Sequence, residues 1–126
     1  EPVIRTQLEK FNSFDRTIFS VGNCDADTHI VQTSITSKSE FDWYTAQGAV
    51  GVLCGRFIDS DGNHIIGQMD GRMIGITLSE VKSKGSGVLV AGGPTKLNAI
   101  RATLKGGYVS HLVVDDDTAR DLMLEQ

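Results

Sequence analysis

The sequence predicts an α/β fold, an open and mostly parallel sheet with helices on both faces. Two short apolar runs, 88–91 and 108–114, are rich in residues that favour strands. Between them, over 94–105, apolar residues recur at the spacing of one helix face, beginning at Leu97, and charged residues take the other side. A strand that returns after a helix normally pairs in parallel with the first strand through a right-handed crossover. These three segments therefore predict the central unit of the sheet.

The first part of the chain predicts one helix and one strand. Apolar residues spaced as on one helix face indicate a helix over 3–12. The β-rich run 16–21 predicts a strand that ends at Gly22 and is followed by the polar segment 23–27. Open α/β sheets place ligands at such strand ends, so this segment is a candidate ligand contact. The mixed stretch 30–35 predicts no defined element.

Two capping boxes mark helix starts further along the chain. The S-x-x-E segment 37–40 opens a helix over 38–47, and Gly48 is expected to close it. Trp43 is expected to pack inward from this helix. The T-x-x-E segment 77–80 opens a shorter helix that ends near residue 85.

Short strands are predicted between these two helices. The apolar run 49–58 predicts a strand whose internal glycines mark bulges or close approaches of another backbone. The segment 59–63 predicts a hairpin turn, with 64–68 as the returning strand. A further short strand is predicted over 72–77.

The loop before the central helix carries the clearest functional indication. Gly92 and Gly93 free the backbone, Pro94 suits the first helical position, and Lys96 places a charge in the first turn. A helix start with exposed amides and a cation can hold an anion or a polyhydroxylated ligand. Two glycines after a strand are also the ordinary composition of a tight turn, so both interpretations stay open.

The last part of the chain predicts the end of the central helix and one further helix. Gly106 is expected to stop the central helix in a left-handed conformation. Asp115 or Asp116 is expected to cap a final helix, from which Leu122 and Met123 face the core. The acidic run at this position is typical of a cap rather than of a metal site.

Composition excludes several classes of function. A net charge of −4 and a pI of about 5.2 leave no basic footprint for nucleic acid, so this chain alone is not expected to bind DNA. No apolar run approaches the roughly 20 residues that span a bilayer, and the first residues do not have the layout of a signal peptide. The sequence therefore predicts a cytoplasmic protein without membrane contact.

No metal or cofactor is predicted. Cys24 and Cys54 lack C-x-x-C partners, so reduced thiols are expected, and the histidines fall on separate elements. The segment that begins at Asp59 faintly resembles a calcium loop, but Asp70 stands at position twelve, where that loop needs glutamate.

Three stretches carry a family resemblance: GAVGVLCGRFIDSDGN, RMIGITL and AGGPTKLNAIRATLKGGYVSHLVVDDDTARDLM. They resemble the C-terminal half of the effector-binding domain of SorC/DeoR-type bacterial sugar-responsive transcriptional regulators, and the resemblance covers nearly the whole chain. It implies a fold similar to sugar-phosphate isomerases and glucosamine-phosphate deaminases, with 1–126 as part of one domain. It further implies a sugar or sugar-phosphate effector, a homo-oligomer, and contact with operator DNA only through a domain outside these residues.

The resemblance also implies an effector site, which comprises Lys96, Gly92, Gly93, Gly48, Ala49, Val50, Gly51, Val52, Gln32 and Gly22. Lys96 matches the lysine that reaches the effector, and the paired glycines before it match a backbone cradle. Val52 stands where the family commonly has an acidic residue, and Gln32 stands where it often has an arginine. Loss of both charges removes charge-assisted hydrogen bonds of about 1.5 to 3 kcal/mol each, which predicts a changed, weaker or absent effector.

Two other functions compete with a non-enzymatic sensor. An isomerase or deaminase relative would need a general base near the substrate, and the G-A-V-G segment 48–51 is not followed by a carboxylate. An oligomerisation module that has lost its ligand would instead be consistent with Val52. Turnover of phosphopentoses or amino sugars would favour the enzyme, and an absence of any sugar binding would favour the oligomerisation module.

Overall fold

The computed structural model describes residues 1–25 and 28–124. Its α-helices are α1 (Pro2–Glu9), α2 (His29–Gln32), α3 (Lys38–Ala46), α4 (Leu78–Ser83), α5 (Leu97–Lys105) and α6 (Asp116–Leu124). Its strands are β1 (Thr17–Phe19), β2 (Val21–Asn23), β3 (Gly51–Leu53), β4 (Arg56–Ile58), β5 (Gly87–Val90) and β6 (His111–Val113). Short 3-10 helices cover Lys10–Ser13, Gln68–Arg72 and Pro94–Lys96.

The parallel sheet confirms the predicted α/β class. Its strand order is β1-β5-β6, and both strand pairs are parallel. Leu89 of the central strand is fully buried in the same core cluster as residues of α5, the helix that connects β5 to β6 as the sequence predicted. The strand, helix and strand unit is therefore the part of the fold that local pattern specifies best.

A second, antiparallel sheet with the order β2-β3-β4 was not predicted. The run 16–21 is divided at Ser20, and its two halves belong to different sheets. The predicted strand 49–58 is a hairpin whose turn is formed by Cys54 and Gly55, with φ of 50° and 76°. Gly55 therefore lies in a tight turn rather than a bulge. All three residues of β4 are buried, so the alternation that would reveal a hairpin is missing.

The strands predicted over 64–68 and 72–77 are not formed. The predicted turn is present, because the Gly62 N–H donates to the Asp59 carbonyl at 2.9 Å, but the return continues only as one isolated bridge between Ile58 and His64. The chain then enters a 3-10 helix over Gln68–Arg72. The conformation of residues 64–77 is set by contacts of polar side chains and not by the strand propensity of these residues.

Asp70 collects the polar contacts of that region. Its carboxylate accepts hydrogen bonds from the Gly67 N–H at 2.8 Å, the Tyr44 hydroxyl at 3.0 Å and the Arg56 guanidinium at 3.3 Å. The His64 Nε2 atom lies 2.5 Å from the same carboxylate. Burial alone raises the pKa of Asp70, but the hydrogen bonds from Gly67, His64 and Tyr44 outweigh burial and hold the pKa below its usual value. The network joins α3, β4 and the 3-10 segment.

Two apolar clusters form the core. The first joins the parallel sheet, α4, α5 and one side of the antiparallel sheet, and the second packs α3 against β4. In the second cluster, Tyr44 is stacked on Phe57 with ring centroids 4.0 Å apart. The expectation that Trp43 packs inward is wrong, because it is 46% exposed. Phe41 and Tyr44, three residues apart, form the buried face of α3 and rotate Trp43 outward.

The helix ends are formed as predicted, except that the left-handed residue after α5 lies one position later and one residue of α6 is exposed instead of buried. Both capping boxes are formed, and Asp115 caps α6, because the Thr118 N–H donates to its carboxylate at 2.9 Å. Gly106 keeps a right-handed φ of −66°, and Gly107 takes the left-handed conformation with φ of 78°. Met123 is 74% exposed, so its predicted burial is wrong. It lies just past the stripe through which α6 contacts α5.

One face of the parallel sheet is apolar and exposed in the described part of the chain. The strand register places Ile18, Val90 and Val113 on the same face. Their exposed fractions are 77%, 46% and 52%. The opposite face, which includes Leu89, carries the first core cluster.

Candidate functional site

A cleft of about 180 Å³ lies between the end of β2, the start of β3 and the first turn of α5. The residues that line it are Asn23, Cys24, Asp25, Ala49, Val50, Thr95 and Asn98. The segment 94–96 follows the carboxyl end of β5, which is where open α/β sheets bind ligands.

Close packing of α5 on the antiparallel sheet forms the base of this cleft. In the register of β2 and β3, Asn23 is paired with Gly51. A Cβ atom at Gly51 would lie 3.0 Å from the Cβ of Ala99, so the missing side chain lets α5 approach β3. The helix start is thereby held beside the end of β2.

Hydrogen bonds fix the segment that follows β2. The Asn23 side-chain amide donates to the Asp25 carboxylate at 2.9 Å. The Thr28 hydroxyl donates to the Asn23 carbonyl at 3.3 Å, and the Thr28 N–H donates to the Asp25 carbonyl at 3.0 Å. The predicted polar segment 23–27 therefore forms one wall of the cleft with its first three residues, and residues 26 and 27 lie outside the described ranges.

Cys24 contributes an uncharged thiol to this wall. Burial and the nearby Asp25 charge together raise the pKa of Cys24 to about 12. Burial also raises the pKa of Cys54, which lies in the hairpin turn. Both cysteines are free, so neither is held in a disulfide.

The loop of paired glycines is held by the start of α6. Gly93 has a φ of 99°, and its N–H donates to the Thr118 hydroxyl at 2.9 Å. That hydroxyl donates in turn to the Asp115 carboxylate at 2.7 Å, and a Cβ atom at Gly92 would lie 2.3 Å from the same carboxylate. Hydrogen bonds from Thr118 lower the pKa of Asp115. The Gly93 amide, expected from the sequence to cradle a ligand, therefore has an internal partner.

Lys96 does not line the cleft, although two of its neighbours do. Its side chain is half-buried, and its N–H donates to the Gly93 carbonyl at 3.1 Å. Thr95 and Asn98 are three residues apart, so they share one face at the helix start, and Lys96 is rotated away from that face. Thr95 and Asn98 are recognisable in the sequence as two polar residues at helical spacing. The prediction chose Lys96 instead, because it carries a charge.

The remaining positions from the sequence are divided between the cleft and its surroundings. Ala49 and Val50 line the cleft. Gly22 is paired with Val52 in the β2–β3 ladder, and Val52 packs against the second core cluster. Gln32 is exposed at the end of α2, outside the described lining of the cleft. Gly48 ends α3 with a φ of 94°.

The family of the chain follows from a match along nearly its whole length. Residues 1–124 match a family model described as "Putative sugar-binding domain". The chain belongs to this family of sugar-binding domains. The recognised resemblance to sugar-responsive regulators is confirmed by this match and by the names of the relatives.

Relatives of the sugar-binding domain are named transcriptional regulators. The protein named "Uncharacterized transcriptional regulator YjhU" of Escherichia coli (strain K12) is 34% identical over 123 residues, which cover 98% of this chain and 38% of that protein. The deoxyribonucleoside regulator of Bacillus subtilis (strain 168) is 33% identical over 106 residues, which cover 84% of this chain and 34% of that protein. The chain thus spans less than two-fifths of the length of these relatives.

A solved structure of a regulator has the same fold. Full-length SorC, the sorbitol operon regulator of Klebsiella pneumoniae, superimposes with a TM-score of 0.86 at 23% identity. The match covers 98% of this chain and 39% of SorC. At this level of identity the likeness concerns the fold, and it confirms the parallel sheet flanked by helices.

The described part of the sugar-binding domain shows neither a membrane span nor a cluster of metal-ligating side chains. Within residues 1–25 and 28–124, no helix is both long and apolar enough to cross a bilayer. The same ranges contain no group of three or more His, Cys, Asp or Glu residues that could hold a metal ion.

Proposed function

We propose that this chain is the effector-binding module of a bacterial transcriptional regulator and that a sugar binds in the cleft between β2, β3 and α5. One observation carries the proposal: polar groups from separate chain segments, among them Asn23, Asp25, Thr95 and Asn98, meet in one cleft beside the segment that follows the central strand. A polyhydroxylated ligand needs several convergent donors and acceptors, and amide, hydroxyl and carboxylate groups supply both.

The proposed module acts by binding and performs no chemical step. A sugar that bridges the end of β2 and the start of α5 favours whichever arrangement of the regulator presents that geometry. The DNA-reading domain lies outside these 126 residues, which form part of one effector-binding domain. The proposal includes a homo-oligomer, a cytoplasmic location where bacterial operator DNA lies, and no cofactor.

The remaining proposed contacts are those that the family resemblance implies. Lys96 follows Thr95 directly and can reach a ligand only from the edge of the cleft, because it does not belong to its described lining. Gly92 and Gly93 shape the loop that carries Thr95. Val52 packs against the second core cluster, so we assign it to the support of the cleft rather than to ligand contact.

Calorimetry of the full-length protein tests the proposal. The titrants are a panel of pentoses, hexoses and hexitols together with their phosphate monoesters. We expect heat from at least one compound and about fivefold or greater weakening by Asn98→Ala, since one ligand hydrogen bond is worth about 1 kcal/mol or more. A smaller change is expected for Lys96→Ala.

Lys105→Ala is the matched control for these variants. Lys105 lies on the same helix, at its far end, where it is exposed. Its removal is expected to leave binding unchanged. A panel without any heat would contradict the proposal and favour an oligomerisation module without ligand. Turnover of a phosphate ester by the same protein would favour an enzyme.

A further inference from the structure

The described lining of the cleft carries one charge, and that charge is negative. The Asp25 carboxylate lies among amide, hydroxyl and aliphatic groups. Cys24 adds no charge, because burial and the neighbouring carboxylate raise the pKa of its thiol to about 12. Lys96, the nearest cation along the chain, is not part of the lining. Among the described residues, the cleft is therefore an anionic site without a compensating cation.

Internal hydrogen bonds occupy part of the backbone at the helix start. A helix N-terminus usually binds phosphate through unpaired amide groups. Here the Gly93 N–H donates to the Thr118 hydroxyl at 2.9 Å, and the Lys96 N–H donates to the Gly93 carbonyl at 3.1 Å. Pro94 has no N–H to offer. These internal bonds occupy two of the amides that could otherwise attract an anion.

We propose that the cleft receives an uncharged, hydroxyl-bearing part of the effector and excludes a phosphate group, an inference that rests on the proposed function. Asp25 is the residue that distinguishes a hydroxyl group from a phosphate group. A carboxylate accepts strong hydrogen bonds from sugar hydroxyls, and it repels a phosphate placed at the same distance. The Asn23 side-chain amide donates a hydrogen bond to the Oδ2 atom of Asp25 and so orients the carboxylate within the cleft. Thr95 and Asn98 complete the polar surface across from it.

The test compares how one substitution affects a sugar and its phosphate ester. Calorimetry on the full-length protein uses matched pairs from the panel, with Asp25→Asn as the variant and Asp61→Asn as the control. Asp61 is an exposed carboxylate whose substitution changes the net charge equally. We expect Asp25→Asn to weaken each uncharged sugar that binds by about tenfold, because a charge-assisted hydrogen bond to a hydroxyl becomes a neutral one. Its phosphate ester is expected to be weakened less or not at all, because repulsion of the phosphate is relieved. The control is expected to change none of them.

An equal effect of Asp25→Asn on a sugar and on its phosphate ester overturns the inference, because the carboxylate would then not discriminate between a hydroxyl and a phosphate group. Unchanged binding of every compound overturns it as well. Both results leave sugar binding by the module intact. If no sugar or ester binds the wild-type protein, the proposed function fails, and this inference fails with it. Asp25 is exposed, so its replacement leaves the core untouched, and circular dichroism verifies the fold of the variant.

Discussion

The hydroxyl of Tyr44 gives the sharpest test of how the second core cluster is held together. Tyr44 is fully buried, and its hydroxyl donates to the Asp70 carboxylate at 3.0 Å and accepts the Met69 N–H at 3.1 Å. The Tyr44→Phe substitution removes this one oxygen. The ring remains stacked on Phe57, so apolar packing is retained.

Two terms set the expected loss of stability. A hydrogen bond to a charged group contributes about 1.5 to 3 kcal/mol, and a buried amide left without a partner costs about 1 to 3 kcal/mol. The bond from the Met69 N–H to this hydroxyl is buried, so that amide loses its partner in the variant. Asp70 keeps its contacts with Gly67 and Arg56. We therefore expect a total loss in the lower half of the summed range, about 2.5 to 4 kcal/mol.

Hydrogen exchange on the full-length protein measures this loss at the amide concerned. Protection of the Met69 amide and the thermal midpoint are compared between the wild type, Tyr44→Phe and Tyr108→Phe. The control also removes a buried hydroxyl, which donates to the Gly62 carbonyl at 2.7 Å. Loss of this neutral bond leaves a buried carbonyl without its donor and costs about 1 to 3 kcal/mol. The reasoning is refuted if Tyr44→Phe costs no more than Tyr108→Phe and the Met69 amide stays protected.

Three further predictions concern a turn, the acid limb of stability and a thiol. Gly62→Ala is expected to cost at least about 2 kcal/mol, because Gly62 has a φ of 81° and a Cβ atom would lie 2.4 Å from the Ala102 carbonyl oxygen; Gly71→Ala, with open space around it, should leave the thermal midpoint unchanged. The lowered pKa of Asp70 stabilises the fold above the unfolded pKa of about 3.9, and this contribution is lost as pH falls through the lower folded value. Thermal midpoints from pH 7 down to pH 2 should therefore fall less steeply for Asp70→Asn. Iodoacetamide at pH 8 should alkylate Cys24 about a hundredfold or more slowly than a free thiol, given its pKa of about 12; rapid labelling followed by mass spectrometry would contradict this.

Local chemistry made part of the fold predictable. The capping boxes at Ser37 and Thr77 depend on residues three positions apart, and both are formed. The parallel β5–β6 unit follows from periodicity and a short crossover. The Cys54–Gly55 turn was missed, because a cysteine with positive φ is not a typical turn residue. The division at Ser20 was missed for another reason: the partners of its two halves are distant in the sequence.

The candidate site was predictable in its location but not in its contacts. The polar segment after Gly22 and the residues at Ala49 lie where the sequence and the family resemblance expected a ligand. Asp25 was not singled out, because its position depends on the pairing of β2 with β3, which is a long-range contact. Lys96 was favoured for its charge, whereas helical spacing directs Thr95 toward the cleft.

Ser20 is the single residue between strand β1 of the parallel sheet and strand β2 of the antiparallel sheet. One extended residue spans only about 3.5 Å, so this connection cannot lengthen. Asn23, at the far end of β2, lines the cleft. Any movement of Asn23 along the direction of β2 is therefore transmitted through Ser20 to β1, at the edge of the parallel sheet. The two sheets must then shift together, or hydrogen bonds between paired strands must break.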